Sequence, residues 1–184
     1  MSEHSHSRLW TISNGLTMLR VAFVPLFGWL AMQQTVWFGF LAMVVFLLAS
    51  ITDAYDGKIA RARNEITDFG KLADPIADKA LTGAAFVILS AQGHFPWWAT
   101  VLLLFREWGI TLWRLAIRNR FVHAANRGGK LKTTLQITGI ALAFWPHAAL
   151  LGWAIQPIGL AVVWAAFVVT LYTGVTYVRE LRYA

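Results

Sequence analysis

DAYDGKIARARNEITDFGKLADPIAD, residues 53–78, places five aspartates within 26 positions, and these are all the aspartates of a 184-residue chain. Two of the acids that matter, Asp53 and Asp56, close an apolar run, and two more, Asp74 and Asp78, open the next. On a helix, Asp53 and Asp56 stand about 60° apart on one face, and Asp74 and Asp78 about 40° apart. The short connection between the runs makes the helices antiparallel neighbours. Four carboxylates can then converge at one depth. Ionisable groups at membrane depth usually mark function, and four clustered acids repel one another. Hard divalent cations relieve that repulsion, and an all-oxygen donor set suits Mg²⁺ or Mn²⁺ rather than zinc. Gly57, Ala60 and Asp53 line one stripe, where the missing side-chain bulk lets something large approach the backbone. Gly70 does the same for the facing helix. Arg61 ends the acid helix, placed to meet phosphate.

The rest of the chain says where this cluster lies. Hydrophobic residues make up 58% and charged residues 14%, too few charges for a soluble domain of this size. With no cysteine, disulfides and thiolate metal sites are excluded. Six apolar runs approach the length needed to cross a bilayer: Leu16–Met32, Trp37–Ala60, Pro75–Ala91, Trp97–Ile117, Thr133–Trp153 and Ile158–Tyr177. The expected architecture is all-α, six transmembrane helices in a single domain spanning 1–184. A short interfacial helix is allowed around Ser2–Ile12, with Leu9, Trp10 and Ile12 facing lipid. The N-terminus does not read as a cleaved signal.

The connections alternate in charge. Gln33–Val36, Gln92–Pro96 and Ala154–Pro157 carry no Lys or Arg. The others carry Arg61, Arg63, Lys71, Arg118, Arg120, Arg127, Lys130 and Lys132, with Arg8 before the first run and Arg179 and Arg182 at the end of the last. The net charge of +7 is therefore a topology signal, and both termini are expected in the cytoplasm. Trp37, Trp97, Trp98 and Trp153 sit near the uncharged ends, as interface anchors do. The acids fall on the basic, cytoplasmic side.

Asp53-x₂-Asp56-Gly57-x₂-Ala60-Arg61-x₈-Gly70-x₃-Asp74-x₃-Asp78 resembles the signature of the CDP-alcohol phosphotransferase family at all eight fixed positions. The resemblance extends to the six-span plan. It implies two divalent metal ions, a CDP-linked lipid donor such as CDP-diacylglycerol, a homodimer and residence in a bacterial inner membrane. Three further stretches resemble the branch of the family whose acceptor is sn-glycerol 3-phosphate. They are Asn14-Gly15-Leu16-Thr17 with Arg20, Thr67–Lys79, and Arg106-Glu107 with Gly129-Lys130-Leu131-Lys132-Thr133. The segment Arg118–Gly128 is less similar.

The resemblance assigns Asp53, Asp56, Asp74 and Asp78 as metal ligands, with Asp78 as ligand or general base. Asn14, Thr17, Gly57, Ala60, Arg61 and Gly70 would contact the nucleotide. An anionic acceptor needs cations, and Arg106, Arg114, Lys130 and Lys132 are the candidates, since Arg in particular holds phosphate in a bidentate way.

Plainer readings stand beside these. Asp68 reads as a helix N-cap. Asp74-Pro75 also resembles an N-cap followed by an N1 proline. Arg106 could pair with its neighbour Glu107 instead of a ligand. Arg118, Arg120, Arg127, Arg179 and Arg182 suit topology, and His4 and His6 a flexible terminus. A cation transporter would need acids near the midplane and polar groups on both sides. A lipid-binding scaffold gives no reason for four acids at these spacings. A sibling transferase using inositol phosphate or serine is the nearer rival.

Overall fold

A computed structural model describes residues 12–33, 35–63, 68–116 and 127–182. The described residues contain six α-helices and no strand: α1 (Ile12–Met32), α2 (Val36–Arg63), α3 (Asp68–Ala91), α4 (Trp97–Ala116), α5 (Arg127–Ala143) and α6 (Gly152–Arg182). Three contain segments long and apolar enough to cross a membrane, Gly15–Met32, Val36–Asp53 and Gly152–Tyr177. The interfacial helix expected around Ser2–Ile12 lies outside the described residues up to Ile12, as do His4, His6, Arg8, Arg118 and Arg120.

Local chemistry explains where the helices begin and turn. Thr35 caps α2, its hydroxyl accepting the Phe38 N–H at 3.4 Å. Past the end of α3, Gly93 has φ +77°, a value that favours glycine. The Gly93 N–H donates to the Ser90 carbonyl and the His94 N–H to the Leu89 carbonyl, a Schellman motif that satisfies two orphan carbonyls. The Gln92 side chain then donates to the Ala31 carbonyl at 2.8 Å, pinning this turn to the end of α1.

Helices overrun the apolar runs at the basic end. α2 continues past Ala60 to Arg63, and α3 begins at Asp68, seven residues before Pro75. Asp68 is the first described residue of α3, and its side chain, on which the expected capping depends, lies outside the described residues. Asp74-Pro75 is not a helix start: Pro75 is interior, and the first turns of α3 are simply too polar to register as part of an apolar run. The last connection also differs from expectation. Ala154–Pro157 lies inside α6, and the break falls at 144–151. Pro146 ends the α5 path earlier than apolarity alone implied. Turns through Ala149 and Gly152 then restart the chain as α6. Pro157, sixth in α6, is exposed and forfeits one backbone bond without breaking the helix.

α1 lies against both α2 and α3, while α2 and α3 themselves meet only sparsely. α5 and α6 form the most extensive pair, and α4 packs on α3 and α6. The core is aromatic: Phe27 meets Phe46 and Phe144 at centroid distances of 5.6 and 5.1 Å, and Phe95 meets Trp164 at 4.8 Å. Large apolar side chains such as Trp29, Val44, Leu48, Phe105 and Val168 cover the outside, the surface expected of a protein solvated by lipid.

Candidate active site

Among the described residues Arg20 is the largest fully buried side chain, 1% exposed in the apolar α1. A guanidinium cannot be left unpaired there. Thr17 and Arg20 share the inward face of α1, and Arg20 reaches Asp53 of α2, its Nη1 lying 2.6 Å from Oδ1. Just before Asp53, the Ser50 and Thr52 hydroxyls donate to carbonyls one turn back, at 2.8 and 2.6 Å. These back-bonds satisfy the polar groups of this stretch of α2 within the helix.

A second constellation joins the remaining four helices. Glu107 of α4 is 4% exposed and receives three cations. Lys79 Nζ of α3 lies 3.2 Å from Oε2, Arg106 Nη1 of α4 lies 3.0 Å from Oε1, and Lys132 of α5 also meets Oε1. Lys79 Nζ is in addition 2.7 Å from Asp78 Oδ2, so one ammonium links an acid of the signature to the Glu107 group. Arg106 Nη2 donates to the Thr173 hydroxyl of α6 at 2.9 Å. Gly174 makes room for this: a Cβ there would lie 3.1 Å from Arg106 Nε and 3.3 Å from Cγ. Among the described residues, three cations face two carboxylates, leaving one net positive charge in a low-dielectric setting. Such a group attracts an anion, and Arg and Lys together suit a phosphate.

The predicted residues therefore fall as follows. Asn14 and Thr17 lie in the first turns of α1, and Thr17 is buried. Asp53, Asp56, Gly57, Ala60 and Arg61 share α2, and Gly70, Asp74 and Asp78 share α3. The side chains of Asn14, Asp56, Gly57, Ala60, Arg61, Gly70, Asp74 and Arg114 lie outside the described residues. Arg106 and Lys132 are brought together on Glu107. Lys130 is exposed, about 200° round α5 from Lys132. Arg106 takes its neighbour Glu107 as partner, as the plainer reading allowed, and does so inside the cationic group.

Glu107, Lys79 and Arg20 carry structural roles that the candidate residues did not include. A signal for Glu107 was present: it is the sole acid between Asp78 and Glu180, placed mid-run. Among the described residues no group of three His or acidic side chains gathers. Asp53 and Asp78 offer carboxylates that are 39% and 34% exposed, reachable oxygen donors of the kind a hard divalent cation requires.

The comparisons with known proteins give the family. The family model for CDP-alcohol phosphatidyltransferase matches residues 10–172. A probable phosphatidylglycerophosphate synthase of Mycobacterium tuberculosis is 42% identical, over 96% of this chain and 84% of that protein. The CDP-diacylglycerol–glycerol-3-phosphate 3-phosphatidyltransferase of Escherichia coli K12 is 32% identical, over 91% of this chain and 92% of that protein. Its counterpart in Shigella flexneri is 33% identical with the same coverage. The signature on α2 and α3, the all-helical fold and these matches covering most of the chain lead to one statement: the chain belongs to the CDP-alcohol phosphatidyltransferase family.

Proposed function

We propose that the protein transfers the phosphatidyl group of CDP-diacylglycerol to sn-glycerol 3-phosphate, giving phosphatidylglycerol phosphate and CMP. One observation carries the choice of acceptor. Arg106 and Lys132 converge on Glu107, and Lys79 ties that group to Asp78 of the signature. An anionic acceptor would be drawn beside the acids that serve the donor. The names of the relatives support the same reading.

In the reaction, the acceptor hydroxyl oxygen bonds to the phosphorus that carries the diacylglycerol. The bond from that phosphorus to the CMP oxygen breaks, and the hydroxyl proton passes to Asp78. Gly57, Ala60, Gly70 and Arg61, with Asn14 and Thr17, hold the cytidine nucleotide. Arg106 and Lys132 orient the acceptor phosphate, with Arg114 and Lys130 supplying charge nearby. Divalent ions, Mg²⁺ or Mn²⁺ held by Asp53, Asp56, Asp74 and Asp78, would neutralise the pyrophosphate and the departing CMP. The chain acts as one domain of six membrane-spanning helices in a bacterial inner membrane, as a homodimer, with the acids facing the cytoplasm.

The test uses protein purified in detergent, CDP-diacylglycerol and labelled sn-glycerol 3-phosphate. Label should enter the lipid phase with Mg²⁺ or Mn²⁺ and vanish with EDTA. Asp78→Asn should lower the rate by about 10²–10⁴-fold, the range for loss of a positioned general base. CMP release only with inositol phosphate or serine would overturn the acceptor and keep the chemistry. No CMP release with any acceptor would overturn the enzyme reading.

A further inference from the structure

The α5–α6 pair contains polar atoms that nothing in the fold satisfies. Gln136 is 4% exposed and its Nε2 has no hydrogen-bond partner. Thr170 is fully buried and its Oγ1 also lacks one, as does Arg106 Nε. Buried polar groups are nearly always paired, so orphans gathered in one place call for an explanation.

Helix register places them. A Cβ at Gly139 would meet the backbone of Val163, and one at Gly159 would meet Leu142 and Ala143. The two helices thus run antiparallel with 139 level with 163 and 143 with 159. Stepping back along α5 brings Lys132 level with Thr170 and puts Gln136 one turn deeper, on the same buried face as Lys132. Arg106 enters from α4 against Thr173 and Gly174, within a turn of Thr170. Level with Gln136 and below it, the facing side chains of this helix pair are apolar, with Ile140, Val163 and Ala166 all buried. Gln136 is therefore the floor of the cationic group, an amide turned into a place that offers it no protein acceptor.

We propose that Gln136 is a further acceptor-binding residue, its amide donating to an oxygen of a phosphorylated polyol whose phosphate is held by Arg106 and Lys132. The proposal rests on the acceptor reading given above. Arg106 Nε and the Thr170 hydroxyl face the same ligand. A phosphate alone would occupy the cations, and the hydroxyls of a polyol phosphate reach the deeper groups. The amide then discriminates among acceptors: one without an oxygen at that depth leaves it unpaired.

Gln136→Met separates this role from a structural one. Methionine keeps the length and removes the polar group, so a buried orphan exchanged for it leaves the fold as stable or more stable. The expected result is an unchanged or higher melting temperature in detergent. With it, KM for sn-glycerol 3-phosphate should rise about tenfold or more, the usual scale for losing one hydrogen bond to an anionic ligand. KM for CDP-diacylglycerol should stay within about twofold. An unchanged acceptor KM, or a falling melting temperature with both KM values moving together, would overturn the proposal. A second measurement needs no turnover: with EDTA present, glycerol 3-phosphate should raise the melting temperature of the wild type more than that of Gln136→Met. Equal rises in both proteins would also overturn it. Wild-type protein that is stabilised by glycerol 3-phosphate but forms no lipid from it would instead sink the acceptor reaction, and the difference between the two melting shifts would still decide Gln136.

Discussion

Glu107 shows how one side chain can govern several. Its two oxygens serve three cations from three helices, and removing one partner of a buried ion pair costs more than the pair itself contributes. Glu107→Gln is expected to destabilise the protein by about 3–5 kcal/mol. Glu107→Asp, which keeps the charge, should lose less. Lys130→Ala serves as the control: it is exposed, and a change within about 0.5 kcal/mol is expected. Denaturant unfolding of the three variants in one detergent checks the order, and equal losses in Gln and Asp would show that charge is not what Glu107 supplies. At this scale the sequence is unevenly legible. The spacing of Asp53, Asp56, Asp74 and Asp78 follows helical geometry and is visible without a structure. The partnership of Lys79 with both Asp78 and Glu107 is not, because it depends on how α3 sits against α4. Likewise the assignment of Lys132 inward and Lys130 outward is a matter of helix rotation, which a basic tripeptide cannot fix.

Helices were legible where apolarity and length coincide, and misplaced where they do not. Hydropathy marks the stretch that wants lipid, whereas a helix continues as long as its backbone bonds can be made. That is why α2 and α3 reach beyond their apolar runs to Arg63 and Asp68, and why Pro157 misled: it reads as a break yet is absorbed by α6. The true break needed Pro146 and a glycine at 152, where a side chain would strike the carbonyls of Pro146 and His147. Close packing of α5 on α6 leads to a paired prediction. Gly159→Ala forces the helices apart against backbone and should cost about 1–3 kcal/mol. Gly28→Ala meets only Ile88 Cδ1 at 3.9 Å and should be neutral or stabilising by up to about 1 kcal/mol, the propensity difference. Melting temperatures of the two variants in the same detergent decide it, and a stable Gly159→Ala protein would contradict the register drawn above.

The whole molecule is polarised along its length. The acids and most of the cations crowd one end, and short connections without Lys or Arg close the other. Because the chain has no cysteine, its topology can be read one position at a time. Single cysteines at Gln33, Gly93 and Leu150, all exposed, should react with an impermeant maleimide added outside intact spheroplasts. A cysteine at Lys130 should react only after lysis. The opposite pattern would invert the orientation, and labelling of Gln33 and Lys130 from the same side would break the six-span plan.

The end away from the acids is not flat. A cleft of about 600 Å³ opens there, lined by Gln92, His94, His147 and Gln156 beside the irregular backbone at 144–148. Non-helical backbone is tolerated in a membrane protein where it borders a cavity, and the polar side chains among the lining stand beside this backbone. Beneath it α5 has only 17 residues, about 26 Å of helix, and its first turns are already cationic. α5 is thus shorter than the roughly 30 Å of hydrocarbon that a spanning helix has to cross. On the six-span reading proposed above, the same membrane voltage would fall over a shorter distance there, and the charges gathered at Glu107 would sit in a steeper electric field than the lipid beside them.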